Sequence, residues 1–273
     1  MSEFEYLRYV QVGQYLPTGS WIHRLDPRAR MLGTLALLAG MTLSTHLEGL
    51  ALGLGMVVAL LLAARIPLRY ALRSLIPPLP FLLILVVLQF FFPPPGGPGG
   101  VLFQYGILRI TVAGIYAGLA LLVRFSGLVL AISLASYVIS NSELIRGLEA
   151  LLTPFTRIGL PTQDFVMMVQ VMLRFLPFLA QAAERIAKAQ ASRGANWGTH
   201  SGGPLSRVRQ SFPLLIPLFL NGLRRAEALA LAMEARGYSN RAHHTSMLEL
   251  SFRWRDGLAI LCAVGLGLAV FFI

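Results

Sequence analysis

The stretch VAGIYAGLALLVRFSGLVLAISLASYVI, Val112–Ile139, contains one charged residue, Arg124, in a run that is otherwise apolar, small or hydroxylated. A bilayer core of about 30 Å takes about 20 such residues as a helix. Four further runs fit the same description: Ala29–Thr45, Leu47–Ala64, Leu75–Phe92 and Gly257–Ile273. The whole chain is 56% hydrophobic and 13% charged, where a soluble domain carries about 25% charged residues. These features predict an all-α integral membrane protein with about five transmembrane helices.

The ends of the runs carry structural signals. Asp26 is placed to cap the first helix, with Pro27 at its first position. The third run is followed by Pro93-Pro94-Pro95-Gly96-Gly97-Pro98-Gly99-Gly100, which reads as a loop. It lacks the Gly-Lys-Ser/Thr ending of a phosphate loop. Arg8, Arg24, Arg28 and Arg30 precede the first span, and Arg65, Arg69 and Arg73 lie between the second and third. Among acidic, basic and histidine residues, the two opposite loops hold only His46, Glu48 and Arg109. By the positive-inside rule the N-terminus is cytoplasmic and, after five spans, the C-terminus is external. Met1 to Arg30 has no apolar core of a signal peptide. The expected location is the plasma or inner membrane, as a multi-pass protein.

This orientation places Ser140–Asp256 in the cytoplasm. Residues 1–139 then form the N-terminal cytoplasmic segment and spans one to four. Residues 140–256 form a large helical cytoplasmic domain, and 257–273 form the last span. Ser140 and Glu143 have capping-box spacing. Gln163 to Ser192 reads as a long helix bent at Pro177. Leu205 to Ala235 reads as a second helical stretch, interrupted around Pro213 and Pro217. Both are apolar for a cytoplasmic domain, with Phe165, Met167, Met168 and Met172 in one and Phe212, Leu215, Ile216 and Phe219 in the other.

Each of these stretches ends in the same pattern. Ala183-Glu184 opens a segment closing in Ser192-Arg193-Gly194, and Ala226-Glu227 opens one closing in Ala235-Arg236-Gly237. Both read A-E-x-x-A-x-A-x-x-[S/A]-R-G. Alanine at these offsets favours helix and leaves a smooth face for close approach. Arg-Gly puts a cation in the last turn and a residue tolerant of the left-handed conformation beyond it. Arg-Gly is an ordinary helix ending, but capping alone does not require the alanine-rich lead-in twice. Two like helix ends suit a partner that offers two like sockets. Glu184 and Glu227 read as helix-face ion-pair formers, with Lys188 and Arg224.

The chain resembles the transmembrane T component of energy-coupling factor transporters, the CbiQ/EcfT family. The resemblance rests on Tyr15-Leu16-Pro17-Thr18-Gly19-Ser20-Trp21-Ile22-His23-Arg24-Leu25-Asp26-Pro27-Arg28, on Ala189-Gln190-Ala191-Ser192-Arg193-Gly194, and on Leu229-Ala230-Leu231-Ala232-Met233-Glu234-Ala235-Arg236-Gly237-Tyr238. Ser192 departs from the family's usual alanine, and Pro17-Thr18-Gly19-Ser20 from a more usual Pro-Gly pair. The resemblance implies a scaffold that is not an enzyme. It would join two cytoplasmic ATP-binding-cassette ATPases, identical or different, to a membrane S component that binds a vitamin or transition-metal ion. Ser192, Arg193, Gly194, Ala235, Arg236 and Gly237 would then be the ATPase-coupling residues, at the ends of two coupling helices.

The alternative is a self-contained ABC permease with its own substrate pathway. Such a protein places polar or charged groups inside several spans. Here spans one, two, three and five carry no acidic residue, lysine or arginine between their ends. No paired carboxylates or Ser/Lys arrangement suggests intramembrane catalysis. No cofactor or metal site is expected: Cys262 is the single cysteine, and His243-His244 reads as a solvated pair. The net charge of +11 is spread among apolar runs, which fits lipid headgroups better than nucleic acid.

Overall fold

The computed structural model describes residues 15–91, 101–105, 108–154, 162–194, 204–238 and 252–272. The Pro93–Gly100 run, Pro161, the Gly202-Gly203 pair and the His243-His244 pair lie outside the described residues. The chain divides into two compact units, one of Gly13–Pro154 with Glu249–Ile273, the other of Phe155–Leu248 with Met1–Val12. The first division falls at Pro154, so the helix opened by Ser140 groups with the spans.

In the first unit the helices are α1 (Pro27–Leu43), α2 (Leu47–Ala63), α3 (Leu68–Leu75), α4 (Leu79–Phe91), α5 (Val112–Val138), α6 (Asn141–Leu152) and, from the end of the chain, α9 (Trp254–Phe272). The predicted starts hold. Asp26 accepts a hydrogen bond from the Arg28 N–H, with Pro27 at the first helical position. Ser140 and Glu143 form a complete capping box on α6.

The predicted third span is only half right. Pro77 and Pro78 lack N–H donors, and the chain bends by 60° between α3 and α4. α4 alone, with 13 residues, is about 20 Å long, so it reaches a span's length only together with α3. α5 and α9 are long and apolar enough to cross a bilayer. α1 and α2 have 17 residues each, at the lower limit of about 17 for a span. One feature departs from an all-helical reading: an antiparallel hairpin of β1 (Val101–Tyr105) and β2 (Leu108–Thr111), which pairs Phe103 with Ile110 and Tyr105 with Leu108.

Two kinds of contact fix the bundle. The first is close backbone approach. A Cβ on Gly40 of α1 would lie 2.5 Å from the Gly267 carbonyl oxygen of α9, and one on Gly267 would lie 2.7 Å from that of Ala36. Small residues let helices touch in this way where lipid gives no hydrophobic drive. Met41, fully buried, fills the space that Gly53 and Gly127 leave open.

The second is a polar network at the arginine-rich end. Arg30 donates to Val138 O at 2.7 Å and pairs with Glu143 at 2.8 Å. The Asp256 carboxylate accepts from the Asp26 N–H at 2.9 Å and the Arg253 N–H at 2.8 Å. The Tyr15–Arg28 segment folds onto this end. Leu16 N–H donates to Tyr137 O, Thr18 donates to Ala64 O, and His23 is held between Ser20 Oγ and Leu16 O. At the opposite end of α1, Arg124, the one charge in α5, donates to Ser44 O.

The second unit is a pair of long helices, α7 (Thr162–Ser192) and α8 (Pro204–Ala235). α8 runs unbroken through Pro213 and Pro217, which corrects the expected interruption. Each proline removes one hydrogen bond of the ladder, and the remaining rungs carry the helix across. α7 likewise contains Pro177. By length and composition alone α7 also qualifies as a span. Its last three turns, however, carry Glu184, Arg185 and Lys188.

Candidate functional site

α7 and α8 end one residue before Arg193 and Arg236. Each arginine therefore occupies the C-cap, and Gly194 and Gly237 follow it. Both glycines are left-handed, with φ of +86° and +79°, a conformation that costs other residues about 1–2 kcal/mol. A Cβ on either would meet nothing within 4 Å. Conformation, not crowding, therefore favours glycine here. The Gly194 N–H donates to Ala191 O at 3.0 Å and the Gly237 N–H to Glu234 O at 2.9 Å. On α8 the Tyr238 N–H also reaches Met233 O at 3.0 Å, which completes a Schellman ending.

The left-handed glycine ends each helix directly after its arginine. Arg193 and Arg236 are both exposed, as are Ser192 and Ala235 before them. Ser192 Oγ donates to Ala189 O at 2.8 Å. The hydroxyl is thus turned onto its own helix. All six residues singled out from sequence form two matching, solvent-facing helix ends. A guanidinium so presented offers a planar fork of donors that fits a carboxylate in bidentate fashion.

The surroundings of the two arginines differ. Arg236 lines a groove of about 700 Å³ with Arg174, Arg225 and Phe178. The Arg225 guanidinium lies 3.8 Å from the centre of the Phe178 ring, a cation–π distance. Among the described residues no carboxylate pairs with Arg174, Arg225 or Arg236. Sequence reading did not single out Arg174 or Arg225. The available signal was spacing: Arg174 lies one turn before Phe178, and Arg225 three turns before Arg236. Of the two expected ion pairs, Glu184–Lys188 is present at 2.6 Å. Glu227 forms no ion pair with Arg224 among the described residues, which suits a solvated surface pair worth about 0–1 kcal/mol.

A second cavity, of about 1080 Å³, runs between α7 and α8 and is lined by Met167, Met168, Met172, Phe175, Leu215 and Phe219 among others. Met168 and Met172 are each 67% exposed and Phe219 69%. Methionine-rich apolar surfaces repack readily against partners. Among the described residues no group of three or more His, Cys, Asp or Glu gathers as a metal-binding set.

Residues 18–247 match the family CbiQ, described as cobalt transport protein. The chain is 36% identical over 258 residues to the energy-coupling factor transporter transmembrane protein EcfT of Brevibacillus brevis, covering 94% of this chain and 96% of that protein. It is 38% identical over 260 residues to the EcfT of Thermosediminibacter oceani, covering 95% and 96%. It is also 38% identical over 251 residues to that of Heliobacterium modesticaldum, covering 92% of each.

Proposed function

The chain belongs to the CbiQ/EcfT family of energy-coupling factor transporter transmembrane components, and from that premise we propose that it is the mechanical link of an importer. It has no catalytic residues of its own. Two ATP-binding-cassette ATPases, alike or different, dock one at each of the helix ends Ser192-Arg193-Gly194 and Ala235-Arg236-Gly237. A membrane S component, which carries the specificity for a vitamin or transition-metal ion, covers the apolar face of α7 and α8. Closure of the ATPases on ATP draws the two helix ends together, and the apolar face passes the movement on. In this reading α7 and α8 lie on the cytoplasmic side, with the N-terminus inside and the C-terminus outside.

The observation that carries this reading is the likeness of the two ends. Each presents an exposed arginine at the C-cap, with a left-handed glycine behind it. A socket carboxylate desolvated on docking makes such a pair costly to truncate, about 2–5 kcal/mol for loss of one partner. The basic groove around Arg236 favours an acidic segment on the ATPase that meets it.

The test is the double variant Arg193→Ala, Arg236→Ala, with ATPase pull-down and transport in reconstituted vesicles. We expect both to be lost, with each single variant intermediate and the Arg→Lys variants partly rescued, because lysine keeps the charge but not the fork. If the arginines only complete helix ends, each is worth about 0.3–1 kcal/mol. Assembly and transport would then stay near wild type, and the proposal fails.

A further inference from the structure

The Tyr15–Arg28 segment and the start of α9 build a feature that docking at the signatures does not use. An apolar groove of about 420 Å³ opens between α1 and α9, over a floor that includes Leu134 and Val138 of α5. Gly33 on α1 and Ala259, Cys262 and Ala263 on α9 line it, and their small side chains leave the space. The groove's lining runs along α9 from Arg255 to Leu266, about 16 Å of helix. That is half of a hydrocarbon core of about 30 Å, the depth of one leaflet. Gly40 and Gly267, where the two backbones touch, lie just beyond its far end.

At the other end the groove meets a polar vestibule of about 750 Å³, and the two share Trp21, Leu25, Arg30, Arg255 and Leu258. The vestibule is also lined by Arg24, Arg146 and Arg253. Its carboxylates are engaged within the fold. Asp26 accepts from the Arg28 N–H, Asp256 from two backbone N–H groups, and Glu143 pairs with Arg30. Among the described residues no carboxylate pairs with Arg24, Arg253 or Arg255, all exposed. Arg30, whose side chain is only 3% exposed, has its Nε buried without a partner. Trp21 and Trp254 stand at this end 59% and 72% exposed, as tryptophans do at headgroup level.

We propose that this groove and vestibule bind one anionic glycerophospholipid. One acyl chain lies in the groove between α1 and α9, and the phosphate sits among Arg24, Arg253 and Arg255. Basic side chains at a membrane surface select acidic headgroups, and the groove's length matches one leaflet. Cys262 lines the groove and is the chain's one cysteine, so its thiol reports on occupancy.

The full chain is purified, delipidated in detergent and titrated with phosphatidylglycerol, phosphatidylcholine, glycerol 3-phosphate and inorganic phosphate. Binding is read by native mass spectrometry and by the rate of maleimide labelling at Cys262. One phosphatidylglycerol per chain should bind at least about tenfold more tightly than phosphatidylcholine and slow the labelling. The soluble phosphates should do neither. Arg24→Ala, Arg253→Ala, Arg255→Ala should abolish the preference, and Cys262→Trp should block the lipid itself. A photoreactive acyl chain on phosphatidylglycerol should label wild-type α1 and α9, which gives a readout that needs no variant. Equal retention of both lipids, a preference that survives in the triple variant, photolabel confined to other helices, or equal competition by inorganic phosphate overturns the proposal. So does crosslinking of Cys262 to a partner protein in the assembled complex.

Discussion

The bundle and the α7–α8 pair both contain long apolar runs but pack them differently. In the bundle Met41, Leu50, Val57 and Leu61 are fully buried, and glycines bring backbones into contact. In the α7–α8 pair Val166, Ala182 and Ala187 are buried, while Met168, Met172, Phe219 and Leu231 are about two-thirds exposed. Hydrophobicity alone does not separate α7 from the bundle, since α7 has the length and composition of a span. What separates them is what each helix packs against. The first unit has a packed interior beneath exposed apolar outer faces such as Leu35 and Leu261, whereas the second is a helix pair whose apolar side is mostly exposed.

The sharpest way to break this contrast is to disturb the bundle at its closest point. Gly40→Leu places a side chain against the Gly267 backbone, which cannot move aside like a flexible side chain. Overpacking of this kind costs about 3 kcal/mol. Thermal unfolding in detergent should show a large loss of stability, and Gly55→Leu, which meets nothing within 4 Å, should show little.

The polar end of the bundle should respond to pH. Burial raises the pKa of Glu143, but hydrogen bonds from Arg30 and Ser140 and the charge of Arg30 outweigh it and hold the carboxyl below its ordinary 4.5. The unfolded chain therefore takes up this proton at a higher pH than the folded one. The contribution of Glu143 is complete above about pH 4.5 and is lost as pH falls through the lower folded value. Glu143→Gln should remove about 2 kcal/mol at pH 7 and flatten this part of the acid dependence. An unchanged melting profile from pH 3 to 7 would mean the pair adds nothing.

The smallest effect on stability is expected in the other unit. Met168→Ala, Met172→Ala and Phe219→Ala should each change the melting of the isolated chain by less than about 0.5 kcal/mol, as exposed sites do. Recovery of an S component with the chain should nevertheless fall. A loss of stability as large as that of Gly40→Leu would show that the exposed face is a core in its own right.

Local chemistry was legible in the sequence and long-range chemistry was not. The helix starts at Asp26 and Ser140 and the two Arg-Gly endings each depend on residues within a few positions, and all take the geometry their spacing implies. The bend at Pro77-Pro78 was missed because the apolar run continues through it. The hairpin was missed because each strand is short, although Val101, Phe103, Tyr105 and Ile110 are strand formers. Local rules make Pro213 and Pro217 breaks, because they weigh a lost hydrogen bond without the rungs around it. The arginine-rich vestibule was out of reach, because Asp26 and Asp256 meet across 230 residues and Arg30 and Glu143 across 113.

Arg30 and Arg124 form a reciprocal pair of fastenings. Arg30 on α1 holds the Val138 carbonyl that ends α5, and Arg124 on α5 holds the Ser44 carbonyl that follows the end of α1. Fourteen residues separate the two fastenings along each helix, so about 21 Å of helix lies between them. That is shorter than a relaxed hydrocarbon core of about 30 Å. Arg124 is central in its own helix but level with the end of its neighbour. The two antiparallel helices are therefore pinned at two levels, and neither can slide along the other without breaking both fastenings.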